Sequence, residues 1–222
     1  MNENILTIAM PKGKLFEPAK VLLEKCGFSY PGLSDEARTL IFEDKNRQVN
    51  YIICRPTDIP TYVEHGAADL GIVGKDSILE ANKNLYELVD LKFGYCRFAA
   101  AVPRIALAAD GTFTWKQGLR IATKFPTVAK EYVRKKGLQA EIIKLHGNIE
   151  LAPRVGLADL IVDIVSSGRT LKENDLVALE FMGEATARLI VNRASYRLKA
   201  KEINGLVGKI KQVLETEGGE LS

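Results

Sequence analysis

The stretch Asp159–Leu171, DLIVDIVSSGRTL, places a carboxylate inside an apolar run and follows it with small polar residues and a cation. Leu160–Val165, preceded by Gly156 and ended by Ser-Ser-Gly, predicts a buried parallel strand. An unpaired acid in the middle of such a strand costs several kcal/mol or is forced to protonate. Asp163 is therefore expected near the strand's C-terminal end, where it can meet a ligand or a cap. Ser166, Ser167 and Gly168 let the backbone turn so that successive N–H groups converge on an anion. The serine and Thr170 hydroxyls add donors, and Arg169 adds charge. A short helix opening near Leu171 adds an N-terminal field that favours anions. An acid beside such a nest suits a sugar phosphate, whose hydroxyls meet the carboxylate while the loop takes the phosphate. The same pattern also suits an ordinary strand–turn–helix in which Asp163 caps backbone, and local pattern leaves both readings open.

Cations recur where other strands are expected to end. AMPKGKL (Ala9–Leu15) leaves a strand and opens a helix, with Lys12 and Lys14 flanking Gly13. CRPTDIP (Cys54–Pro60) sets Arg55 at a strand end, with Thr57 or Asp58 as helix cap. RIATKFP (Arg120–Pro126) does the same with Lys124. Solvated lysines on tight turns are the alternative at each place, but the recurrence predicts a cleft for a heavily anionic small molecule. GIVGKDS (Gly71–Ser77) lacks the spacing and the Ser/Thr of a P-loop, and neither a GxGxxG fingerprint nor a GxSxG elbow occurs. Cys26, Cys54 and Cys96 include no CxxC pair, and His65 and His146 form no ligand cluster, so no structural metal site is expected.

The elements that carry these loops alternate as in an α/β fold. Strands are predicted at Ile5–Met10, Val49–Cys54, Leu70–Val73, Leu88–Phe93, Arg97–Val102, Arg120–Thr123, Ala140–Leu145 and Ala187–Asn192. Helical spacing marks Leu15–Lys25, Thr57–His65, Thr127–Lys136, Ile149–Val155 and Ala200–Glu217. One internal echo stands out. DIPTYVEHGAADLGIVG (Asp58–Gly74) matches NIELAPRVGLADLIVDI (Asn148–Ile164), so that Gly66, Asp69 and Leu70 align with Gly156, Asp159 and Leu160. A shared helix–glycine–strand unit predicts two lobes built alike, with ligands at the C-terminal ends of their strands.

The 222 residues are 46% hydrophobic and 27% charged, ordinary for a globular protein with a sizeable core. A net charge of +3 with scattered basic residues gives no argument for nucleic acid. The N-terminus MNENILTIAMPKGKLF has no basic segment followed by a long apolar one, and no stretch reaches membrane-span length, so a cytoplasmic protein is expected.

Glu150, Gly156, Ala158, Ile161 or Val162, Asp163, Ser167-Gly168, Thr170 and Leu171 together resemble the signature of the ATP phosphoribosyltransferase family. AMPKGKL, RPTDIPTYVEHGAADLGIVG and RIATKFP resemble that family's other landmarks in the same order, so the likeness covers nearly the whole chain. The resemblance implies a two-lobed α/β fold of the type II periplasmic-binding-protein kind with a discontinuous first lobe. That lobe is expected to be residues 1–94 plus 177–222, and the second lobe residues 95–176. It also implies the first step of histidine biosynthesis: N1 of ATP attacks the anomeric carbon of phosphoribosyl pyrophosphate, and Mg²⁺-bound pyrophosphate leaves.

Such a displacement needs positioning and charge stabilisation more than a nucleophilic side chain. Asp163 is expected to hold the ribose hydroxyls, and Val165, Ser166, Ser167, Gly168, Arg169 and Thr170 to wrap the 5′-phosphate. Lys12 and Arg55 are expected to act at the reacting phosphates, joined by Lys124 and Lys14. Glu150 supports the loop or caps a helix, and Arg38 reaches a neighbouring subunit's site. Mg²⁺ is expected on substrate phosphates, with no metal site of the protein's own. The chain lacks the C-terminal extension of long forms and so resembles the short form. Short forms work with a separate histidyl-tRNA-synthetase-like regulatory subunit in a hetero-octamer, where the response to histidine resides. A plain binding protein and a regulatory subunit without catalysis are the rival classes; neither has a use for the Asp163 loop.

Overall fold

A computed structural model describes residues 5–28, 30–46 and 48–219. The chain forms two compact units, Met1–Gly94 with Thr186–Ser222, and Tyr95–Ala185. In the first unit, β1 (Leu6–Pro11), β2 (Ile41–Asp44), β3 (Val49–Cys54), β4 (Leu70–Gly74), β5 (Tyr86–Asp90) and, after the chain returns, β11 (Ala187–Val191) form one sheet. Its order is β2-β3-β1-β4-β11-β5, with β1 parallel to both β3 and β4. Helices α1 (Phe16–Lys25), α2 (Ile59–Glu64) and α3 (Lys75–Ala81) follow β1, β3 and β4.

The near-continuous apolar sequence of β1 reflects burial on both faces. Ile8 and Met10 point into a core with Phe16, Leu23 and Tyr51, whereas Ala9 faces Ile59 and Val63 of α2. The chain then closes with α7 (Arg193–Leu198) and α8 (Ala200–Gly219). The helix stripe Ile203, Leu206 and Ile210 is fully buried in the larger of these cores, which is why α8 is amphipathic.

The second unit holds β6 (Cys96–Pro103), β7 (Leu119–Thr123), β8 (Ala140–Lys144), β9 (Leu160–Val165) and β10 (Leu176–Ala185), ordered β10-β6-β9-β7-β8. Helices α4 (Pro126–Lys135), α5 (Leu151–Arg154) and α6 (Arg169–Glu173) lie between its strands. Strand β7 is parallel to β8 and β9, and β6 is antiparallel to β9 and β10.

The expected return to the first lobe at 176/177 needs correction. Strand β10 pairs antiparallel with β6 from Leu176↔Pro103 to Ala185↔Cys96, so the chain stays in the second unit until Ala185. That strand escaped the sequence reading because register shifts between Ala178 and Glu180 and between Phe181 and Glu184 break its alternation. The four-residue edge strand β2 was also missed, and β5 lies two to three residues earlier than the expected Leu88–Phe93.

The internal echo has a physical cause. Gly66 and Gly156 end their helices at φ +72° and +71°, a left-handed conformation that favours glycine. The Asp69 amide donates to Thr7 O and its carboxylate accepts from Thr7 N, both at 2.8 Å. Asp159 repeats this with Arg120, again at 2.8 Å in both directions. Each aspartate thus locks the start of one strand to the start of its parallel neighbour, β4 to β1 and β9 to β7. The strand sets β3-β1-β4-β11 and β8-β7-β9-β6 have the same order and the same directions.

Candidate active site

Parallel pairing fixes which loops share an edge. In the first unit β1 and β3 end together, Pro11 opposite Cys54, and the Lys12 amide donates to Cys54 O at 2.9 Å. Lys12 and Arg55 therefore leave adjacent strand ends side by side. Arg55 is exposed and Lys12 half-buried, and neither side chain has a hydrogen-bond or ion-pair partner among the described residues. Two cations at one strand edge, uncompensated among the described residues, raise the local positive potential. Burial, reinforced by Asp58 and opposed by Lys12, pushes the Cys54 thiol up to about 11, so it offers no thiolate nucleophile. Lys14 is exposed in the 3₁₀ turn Gly13–Leu15. The Gly13 amide is occupied by the Asp35 carboxylate at 2.9 Å, which brings the loop bearing Arg38 to the lysine turn. Arg38 itself is exposed, and its side chain has no hydrogen-bond or ion-pair partner among the described residues. Lys75, on the same edge after β4, is engaged by Glu87.

In the second unit β7 and β9 run in parallel with Thr123 beside Val162, so Lys124 and Asp163 leave neighbouring positions. Asp163 is the fourth of six residues in β9, half-buried, and its Oδ1 accepts from the Ile164 amide at 2.8 Å. The backbone-capping role expected as one alternative is thus present in Asp163. Val165 is buried and ends the strand; Ser166, Ser167 and Thr170 are exposed beyond it. Gly168 takes φ +75° and starts α6 at Arg169, two residues earlier than expected. Arg169 is directed along α6 to Glu173 at 2.7 Å. Glu150, half-buried, precedes α5 at its N-cap position without a side-chain cap bond.

One residue on this edge had no signal in the motif reading. Arg97, the second residue of β6, pairs opposite Val165, and Ala99, two residues on, faces Asp163. Arg97 and Asp163 therefore share a face of the sheet. The guanidinium lies over the Phe181 ring at 3.7 Å, and its buried Nε has no hydrogen-bond partner among the described residues. A buried guanidinium nitrogen without a partner among the described residues is a donor open to an added acceptor.

The family model described as ATP phosphoribosyltransferase matches residues 55–212. The chain belongs to the ATP phosphoribosyltransferase family. It is 54% identical to the ATP phosphoribosyltransferase of Moorella thermoacetica, over 99% of this chain and 97% of that one. A relative of the same name from Desulfitobacterium hafniense is also 54% identical, over 96% and 98%. Among solved structures, the ATP phosphoribosyl transferase (HisG:HisZ) complex from Thermotoga maritima aligns at TM-score 0.83 and 37% identity, covering 96% of this chain and 100% of that one. A histidine kinase sensor domain with similarity to periplasmic binding proteins aligns at TM-score 0.58 and 11% identity, which concerns the fold alone. The expected type II periplasmic-binding-protein-like class agrees with both. No described helix of this ATP phosphoribosyltransferase family member is long and apolar enough to cross a membrane.

Proposed function

We propose that the chain transfers the phosphoribosyl group of phosphoribosyl pyrophosphate to N1 of ATP, the entry step of histidine biosynthesis. A bond forms between N1 and the anomeric carbon, while the carbon–oxygen bond to pyrophosphate breaks and its electron pair leaves with pyrophosphate. The observation that carries this reading is the Val165–Thr170 loop at the end of β9, beside Asp163 and Lys124, in a chain 54% identical to relatives of that name. In this assignment Asp163 orders the ribose hydroxyls and the loop amides and hydroxyls take the 5′-phosphate. Lys12 and Arg55 stabilise charge on the phosphates of the attacking or leaving partner.

Mg²⁺ enters as part of the substrate, on pyrophosphate oxygens. The loose cations at the strand ends suit phosphate oxygens rather than a bare dication. Among the described residues no group of three or more His, Cys, Asp or Glu is placed to hold a metal ion. The enzyme works in the cytoplasm, in keeping with three free cysteines. It is a short-form catalytic subunit, assembled in a hetero-octamer with a histidyl-tRNA-synthetase-like regulatory subunit through which histidine acts. The match over 97% of the Moorella relative and the two-component Thermotoga complex support this. The direct test mixes the chain with ATP, phosphoribosyl pyrophosphate and Mg²⁺ and follows pyrophosphate. Release that depends on both substrates is expected; its absence with the regulatory subunit also present would overturn the reading.

Two further outcomes follow from the site. Replacing Lys12 or Arg55 by Met should weaken binding of a phosphorylated substrate about tenfold, and the loss should shrink as salt rises. Normal calorimetric affinities for both substrates in both variants would return these cations to solvated surface. Arg97→Met should raise the KM for the sugar diphosphate by about tenfold or more, with partial recovery in Arg97→Lys. An unchanged KM would leave Arg97 with only its stacking role.

A further inference from the structure

The second unit has a concave surface away from the assigned site. It encloses about 560 Å³ and is walled by Pro103, Ile105 and Pro153, with Arg104, Arg154, Asn174 and Asp175 at its polar side. Because β6 runs antiparallel to β9, this end of β6 lies at the opposite edge of the sheet from Val165. Its charges are unbalanced. The Arg104 side chain has no hydrogen-bond or ion-pair partner among the described residues. Among the described residues the Arg154 guanidinium meets only the neutral Asn174 Oδ1, at 3.4 Å. Two guanidinium groups thus stand against one carboxylate, that of Asp175.

Its apolar part is exposed. Ile105 is 95% accessible, and on α5, whose Pro153 and Arg154 wall the cavity, Leu151 at 49% and the following Val155 at 63% are exposed as well. A small molecule in the cavity would leave Val155 and Leu151 bare, whereas a polypeptide could cover all three. Arginine is among the residue types enriched at the anchors of protein interfaces. We infer that this face docks an acidic segment of a second polypeptide, with Asp or Glu side chains on Arg104 and Arg154 and an aliphatic residue against Ile105. The occupant is the regulatory subunit proposed above, and the inference rests on that reading.

The position gives such a partner a hold on the substrate loop. Asn174, the contact of Arg154, donates through Nδ2 to Thr170 O at 3.0 Å. Thr170 belongs to the first turn of α6, next to Gly168 and the assigned phosphate loop. A partner carboxylate that draws Arg154 away from Asn174 acts on the far end of the five-residue helix α6. Partner binding and sugar-diphosphate binding are then linked, and each must alter the other by the same factor.

The test uses the full chain and the histidyl-tRNA-synthetase-like subunit of the same organism, followed by sedimentation at low and moderate salt. The Arg104→Glu/Arg154→Glu variant should bind at least about tenfold more weakly than the wild type. Ile105→Ser, at a side chain too exposed to disturb the core, should also weaken assembly. Arg104→Glu alone should keep the melting temperature and the isolated-chain pyrophosphate release of the wild type. Wild-type assembly by both the double variant and Ile105→Ser would overturn the docking face while leaving the two-polypeptide reading intact. Failure of the wild-type chain itself to assemble would overturn both.

Discussion

Asp163→Ala is expected to lower kcat/KM for the sugar diphosphate about ten- to a hundredfold, while the affinity for ATP changes little. The estimate is the loss of charge-assisted hydrogen bonds from ribose hydroxyls, about 1.5–3 kcal/mol at the transition state. The carboxylate is half-buried in β9 directly before the Val165–Thr170 loop, so water can replace it only in part. Its bond to the Ile164 amide is local and survives in Asp163→Asn, which keeps an acceptor but loses the charge. The asparagine variant should therefore fold like the wild type and fall between the two in activity. Steady-state kinetics in each substrate, with ATP affinity by calorimetry, separates the outcomes. Near-wild-type turnover by a folded Asp163→Ala protein would remove this residue from the site.

How far the proposed site could be read from sequence follows from strand direction. Lys12, Arg55 and Lys124 were visible because each follows the apolar run of a parallel strand, and ligands of open sheets gather at those C-terminal ends. Arg97 was not visible by that rule. It is the second residue of β6, and an antiparallel strand brings its N-terminal end to the same edge. Its only trace is a cation at the start of the otherwise apolar CRFAAAVP. The same direction rule explains the misplaced domain boundary. Strand β10 is antiparallel and twice shifted in register, and its Glu180 and Glu184 read as loop residues. Glu180 in fact reaches Lys136 at 2.8 Å, and Lys136 lies 5.0 Å from the Trp115 ring centroid. Only tertiary pairing accounts for the charge in that strand. Arg169 shows the converse limit: spacing placed it in the loop, but its side chain has a closer partner in Glu173, one helical turn away.

The two echoed aspartates should differ in their contribution to stability, although their sequence motifs match. Asp69 is 6% accessible and accepts from Thr7 N at 2.8 Å, Ser195 Oγ at 2.6 Å and Lys199 Nζ at 2.8 Å. Lys199 also donates to Ile5 O at 2.7 Å, so its ammonium is tied beneath β1. Removing the carboxylate leaves a largely buried ammonium without its counter-charge and two donors without their acceptor. Asp69→Ala is expected to cost about 3–5 kcal/mol. Asp159 repeats the backbone clamp, on Arg120, and among the described residues adds only a loose ion pair to it at 3.6 Å, with its side chain 32% exposed. Water can replace much of that, and Asp159→Ala should cost about 1–2 kcal/mol. Because each aspartate serves its own unit, amide exchange is the suitable measurement. Asp69→Ala should lower protection in β1 and β4, and Asp159→Ala, more weakly, in β7 and β9. Equal losses for the two variants would show that the shared backbone clamp carries the energy and that the Ser195–Lys199 contacts of Asp69 add nothing.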